Sequence, residues 1–167
     1  MSTSAGQIDV QIINRFPLHC ENNDVMSTDE IPFKLGPLDE VIFPVPIENI
    51  FVYEKPTFSS GKDLIPIDRL RNALSYALND YPHLTERLHT NPDNGAPEIG
   101  CLGTGRELLE AQCNLRLDDL SYKNNASRRV MVTDLPDCGA SLVPPFNSPI
   151  DEFHRPPILA IQHTRFA

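Results

Sequence analysis

The sequence predicts an α/β fold, and two patterns carry that expectation. One is a single amphipathic helix over 66–80. The other is a set of short apolar or alternating segments at 8–13, 50–53, 98–102, 106–112 and 158–166, each bounded by turn-forming residues. The length of 167 residues fits one domain, 1–167, or one piece of a larger one. Apolar residues make up 40%, which suits a globular core, and no run approaches the ~20 apolar residues that cross a bilayer. The 16 prolines are about twice the usual share, so loops, edges and turns should be abundant.

In chain order, Ile8–Ile13 begins by alternating apolar and polar residues and reads as a first strand. Residues 17–40 read as loop, punctuated by Pro17, Pro32, Gly36 and Pro37. Val41–Ile47 is apolar but broken by Pro44 and Pro46, which cannot donate to a central ladder. It should be an extended or edge segment leading into a strand at Ile50–Tyr53. In the helix, Ile67, Leu70, Leu74, Ala77, Leu78 and Tyr81 trace one apolar stripe, with Arg69, Asn72, Ser75 and Asn79 opposite. Pro66 suits the first turn, where its missing N–H costs nothing, and Pro82 forces Tyr81 out of helical geometry.

Beyond the helix, Asn91–Gly95 is rich in turn formers, with Asn94 and Gly95 as a tight-turn signal. Strands at 98–102 and 106–112 follow, separated by Gly103 and Gly105. Residues 120–150 are polar and proline-rich around the patch Val130–Val132. The segment Ile158–Phe166 is apolar on both faces at first and reads as an inner strand. It ends in mid-pattern at Phe166 and Ala167, so the fold is expected to continue in something else.

A net charge of −9 with no basic stripe repels a phosphate backbone and an anionic bilayer surface, so neither nucleic acid nor membrane is expected as a partner. Cys20, Cys101, Cys113 and Cys138 are widely spaced with no C-x-x-C pair, and Met1–Gln7 lacks the basic and apolar regions of a signal peptide. Four reduced thiols in a cytoplasmic protein are expected, which leaves the sequon at Asn125–Ser127 without meaning. His19, His83, His89, His154 and His163 show no metal-ligand spacing and read as surface or partly buried residues. Gly100, Gly103 and Gly105 follow the order G-x-x-G-x-G rather than a dinucleotide fingerprint, and no long helix follows them. No G-x-S-x-G elbow is present. The acidic pairs Asp29–Glu30, Asp39–Glu40, Asp118–Asp119 and Asp151–Glu152 read as solvated loop residues.

Taken in order, seven segments resemble the amino-terminal part of the BAHD acyltransferases, the CoA-dependent enzymes of plant and fungal secondary metabolism. Leu35-Gly36-Pro37-Leu38-Asp39 resembles the family's L-S-x-L-D, with Gly36 and Pro37 departing from its serine region. Ile50–Tyr53 matches the strand that follows. Leu70–Ser75 and Leu78–Pro82 are similar to L-K-x-S-L-S and L-x-x-Y-P. Arg87 and Leu88 fit the end of A-G-R-L, with Thr85 and Glu86 replacing its small pair. Gly95, Glu98, Ile99 and Cys101 resemble N-G…x-E-I-x-C, and Gly105, Glu110 and Ala111 resemble G-V-x-F-x-E-A. Pro156–Gln162 and Thr164–Phe166 resemble P-P-L-L-x-x-Q-V-T-x-F. The resemblance covers essentially the whole chain, and fungal, trichothecene-acetyltransferase-like members are the most similar in character.

The resemblance implies part of a chloramphenicol-acetyltransferase-like two-layer sandwich, a mixed sheet with packed helices. It implies acyl-CoA as co-substrate with no bound cofactor and no metal, and a small-molecule hydroxyl or amine as acceptor. In the family, T-x-F leads into C-G-G and then H-x-x-x-D, whose histidine is the general base, and D-F-G-W-G lies further on. These residues end before both motifs. His163 stands where Q-V-T has valine, so no catalytic residue is assigned, and this chain alone is expected to be inactive. The resemblance implies completion by a second polypeptide, by a carboxyl-terminal part, or by a homodimer. Gly36, Pro37 and Asp39 are the candidate substrate-binding residues, on the acceptor side of the tunnel. The ordinary reading of Asp39 is a loop cap or structural hydrogen bond. The alternative function is a truncated, non-catalytic paralogue acting as a binding or regulatory module.

Overall fold

A computed structural model describes residues 10–20, 33–36, 47–54, 63–100, 106–116, 130–144 and 158–167. Strand β1, Val10–Leu18, pairs antiparallel with β5, Arg106–Cys113, and β5 pairs in parallel with β6, Ile161–Phe166. This gives a mixed three-stranded sheet in the order β1-β5-β6. A parallel neighbour demands a long crossover, and residues 114–160 supply it. A second, antiparallel sheet has the order β2-β4-β3, from Phe33–Lys34, Pro97–Gly100 and Arg87–Thr90. The expected α/β class, a mixed sheet with helix packed on it, is therefore what the chain forms.

The helix, α1, runs Ile67–Asp80 with Pro66 in extended geometry at its start. The first turn closes through Leu70 N–H donating to Pro66 O at 3.0 Å. Ile67, Leu70, Leu74 and Leu78 pack on Leu18, Leu108, Phe16 and Ile161 of the sheet, so the predicted stripe buries against it. Tyr81 departs from that stripe. It lies outside the helix and is mostly exposed, because Pro82 turns the chain into the 3-10 turn Pro82–Thr85. Helix carbonyls in the last turn lack internal partners. One of them, Leu78 O, accepts from the buried Cys20 thiol at 3.3 Å.

Alternation divides the sheet into two working faces. Leu108 and Glu110 of β5, with Ile161, His163 and Arg165 of β6, look toward α1. Leu109, Ala111 and Cys113, with Gln162, Thr164 and Phe166, look the other way. The second face meets Val10, Ile50, Leu115 and Val130, and the turns Val132–Asp134 and Pro136–Leu142, through Leu135 and Leu142. Gln162 Nε2 donates to Ser141 O at 3.1 Å and tethers β6 to that layer.

Several local expectations need correction. The first strand continues through Pro17 to Leu18, in the span read as loop. A terminal strand tolerates a missing N–H, and β1 is terminal in the described sheet order. Part of that span also enters β2. Residues 50–53 form no strand. Ile50 packs inward while Phe51 and Tyr53 are largely exposed, and no described strand pairs with them. The last strand begins at Ile161 rather than Ile158. It stands at the end of the described sheet order, with all six residues half-buried between the two covering layers. The strands near 98–102 and 106–112 form as Pro97–Gly100 and Arg106–Cys113. The turn between β3 and β4 has Gly95 at φ +73°, as its tight-turn signal requires. Residues 101–105, the Val41–Pro46 segment, the sequon and all four acidic pairs lie outside the described residues.

Candidate functional site

The sheet face under the start of α1 carries a polar cluster inside an otherwise apolar layer. Its centre is Glu110, only 4% exposed. A register shift in β1 between Ile12 and Asn14 leaves Ile13 as the extra residue of a bulge. Val10 and Ile12 then share one face with Cys113 and Ala111, while Asn14 and Phe16 fall opposite Glu110 and Leu108. The bulge thus re-aims Asn14 onto the carboxylate. Asn14 Nδ2 donates to Glu110 Oε2 at 2.7 Å, and the Arg165 guanidinium donates to Oε1 at 2.7 Å. Arg165 also reaches Asp63, ahead of α1, at 3.2 Å. Both carboxylate oxygens of Glu110 are therefore occupied, by one neutral and one charged donor, as a buried carboxylate requires.

His163 sits directly across from Glu110 in the parallel register. Its Nδ1 is buried and meets no hydrogen-bond partner among the described residues. Burial lowers its pKa below the ordinary 6.5, and the neighbouring Arg165 charge lowers it further. Glu110 and Asp63 pull the other way without reversing the direction. The imidazole is held neutral at physiological pH. The reading of the histidines as surface or partly buried residues fits His163; among the described residues no group of three or more His, Cys, Asp and Glu could hold a metal ion.

On the opposite face, Glu48, Ile50, Val52, Val130, Val132, Leu135, Cys138 and Gly139 line an open cleft. Its floor turns through three consecutive residues of positive φ, Asp137 (51°), Cys138 (52°) and Gly139 (90°). A Cβ at Gly139 would stand 2.8 Å from Ile50 Cδ1, so glycine there satisfies both the backbone and the packing. Cys20, Cys113 and Cys138 are in no disulfide among the described residues, the first two buried and Cys138 exposed; Cys101 lies outside the described residues.

Of the candidate substrate-binding residues, Gly36 is half-buried just after β2, whereas Pro37 and Asp39 lie outside the described residues. The Glu110 cluster is what sequence reasoning missed as a unit. Its signal is a carboxylate among Leu108, Leu109 and Ala111, where a strand packed on both faces would otherwise be apolar. Among the described residues no helix is long and apolar enough to cross a membrane.

Comparison with known proteins gives two findings. A family model described as "Transferase family" matches residues 23–167. A curated relative, spermidine coumaroyl-CoA acyltransferase of Arabidopsis thaliana, is 30% identical over 120 residues, which is 71% of this chain and 23% of the relative. The chain therefore spans about a quarter of the length of that relative. With most of its residues matched by the family model, the chain belongs to the Transferase family.

Proposed function

We propose that this chain is the amino-terminal part of an acyltransferase that moves an acyl group from CoA to a hydroxyl or amine of a small molecule. The observation that carries the reading is the family match over 23–167. An acyltransferase relative whose printed name pairs a CoA thioester with a polyamine supports acyl transfer in particular. In the reaction, acceptor oxygen or nitrogen bonds to the acyl carbon, the carbon–sulfur bond breaks, CoA leaves as thiolate, and a general base takes the acceptor proton. On this reading the base comes from a second polypeptide or a carboxyl-terminal part, since in the family that this chain resembles the catalytic histidine follows the T-x-F segment matched here by Thr164–Phe166. Gly36, Pro37 and Asp39 form part of the acceptor wall. The acceptor belongs to secondary metabolism of the fungal, trichothecene-like kind, and the enzyme works in the cytoplasm without a bound cofactor.

The test combines native mass spectrometry of material purified from its own source with an assay of CoA release from acyl-CoA donors. A complex holding the 18.7 kDa chain and a polypeptide carrying H-x-x-x-D, with CoA release that needs both, is the expected result. A lone chain or homodimer without CoA release overturns the reading. It would leave a non-catalytic binding module in its place.

A further inference from the structure

We propose that His163 is a proton-operated latch on β6, seating the strand against the sheet and α1 while neutral and loosening it on acidification. The inference does not depend on the acyl-transfer reading. A neutral imidazole leaves Nδ1 as an unprotonated acceptor at modest cost, but an imidazolium carries N–H donors on both nitrogens. Nδ1 is buried and meets no partner among the described residues. The carboxylate across the strand is Glu110, and each of its oxygens already accepts one hydrogen bond, from Asn14 and from Arg165. A proton on His163 therefore either leaves a buried donor unpaired or competes with Asn14 and Arg165 for that carboxylate. The first carries a desolvation cost, and the second weakens a contact that holds β6 in register.

The described charged groups around the imidazole are few. β5 contributes Glu110, β6 contributes Arg165, and the segment ahead of α1 contributes Asp63. β1 contributes the neutral Asn14, and its Arg15 pairs with Glu107 on the other face. α1 packs on this layer through Ile67, Leu70 and Leu74, which cannot solvate a new charge. An unfolded chain has no such restriction and takes up a proton near pH 6.5. Below that value the unfolded state binds more protons than the folded one, so stability falls as pH falls.

The full 167-residue chain, its His163→Val and His163→Gln variants, and their urea midpoints at pH 7.5, 6.5 and 5.5 test this. The other four histidines are present in all three proteins, so the comparison isolates His163. The expected result is a midpoint that drops further in the unmodified chain than in either variant between pH 7.5 and 5.5. Amide exchange over 161–166, corrected for intrinsic rate, should rise about tenfold more in the unmodified chain for each pH unit that separates the folded from the unfolded titration. The His163 proton resonance, identified by its loss in the variants, should titrate below pH 6.5. Equal pH dependence in all three proteins overturns the latch, as does titration at or above 6.5. So does a chain with no cooperative unfolding at pH 7.5, which would show that β6 is never seated.

Discussion

Two arginine–carboxylate pairs of identical length should differ several-fold in worth, because one is buried and the other is not. Arg15 meets Glu107 at 2.7 Å with the two side chains 55% and 50% exposed. Arg165 meets Glu110 at the same 2.7 Å, with exposures of 40% and 5%. A surface pair contributes about 0–1 kcal/mol, whereas removing one partner of a fully buried pair costs about 3–5 kcal/mol. Arg165 is itself partly solvated, so Arg165→Met should fall between these limits, at about 2–3 kcal/mol. That corresponds to a fall in Tm of roughly 5–10 °C for a chain of this size. Arg15→Met should cost no more than about 1 kcal/mol. The assay is chemical and thermal unfolding of both variants at pH 7.5, completed by Glu110→Gln and the double variant Glu110→Gln/Arg165→Met. If the cost lies in the uncompensated carboxylate, Glu110→Gln in the Arg165→Met background should restore part of the loss, giving coupling of about 1–3 kcal/mol. The reasoning fails if Arg165→Met and Arg15→Met agree within about 0.5 kcal/mol, a spread typical of surface substitutions.

Other perturbations test the packing and the turns. Leu108 is fully buried between β5 and α1, so Leu108→Ala should cost about 3–5 kcal/mol in urea unfolding, with near-normal far-ultraviolet dichroism if only a cavity forms. Gly139→Ala places a Cβ 2.8 Å from Ile50 Cδ1 at φ +90°; a loss of about 1–3 kcal/mol is expected by the same assay, and a neutral result would mean the turn at 137–139 rearranges freely. Asn91 spans the β3–β4 turn, its Nδ2 donating to the buried Glu98 at 2.6 Å and its Oδ1 accepting from Asp93 N–H at 2.8 Å. Asn91→Ala should cost about 1–2 kcal/mol and raise amide exchange across Pro97–Gly100.

Some elements were readable because a single physical rule decides them. The helix at 67–80 follows from one apolar stripe between two prolines, and tertiary packing reinforces what local pattern already favours. The β3–β4 turn follows from a residue that tolerates positive φ. The strand at 50–53 was not readable in this way. Four apolar or aromatic residues satisfy a propensity rule, but a strand also needs a neighbour, and sequence alone does not show whether one arrives. The Glu110 cluster was illegible for a different reason. Its assembly depends on the bulge at Ile13, which reverses the alternation of β1 and brings Asn14 and Phe16 to the α1 side. Read with a strict period of two, Val10, Ile12, Asn14 and Phe16 would share one face, and the donor to Glu110 would be lost. His163 was visible as a histidine, but its meaning comes from the occupied oxygens of its neighbour 53 positions earlier in the chain.

The two faces of β6 are held by different kinds of force, and this bears on what the strand can do. On the α1 side Arg165 is fixed by Glu110 and Asp63, interactions that depend on charge and are sensitive to pH and salt. On the other side Gln162 donates to Ser141 O and to Thr164 Oγ1, and Phe166 packs with the Leu135 and Leu142 cluster, interactions that neither agent titrates. A strand held by apolar contacts alone would loosen on both faces together. Ile161 adds an apolar contact on the α1 side, so what acid and salt address there is the pairing of Arg165 with Glu110 and Asp63, and that pairing should weaken with ionic strength while the Gln162 and Phe166 contacts hold.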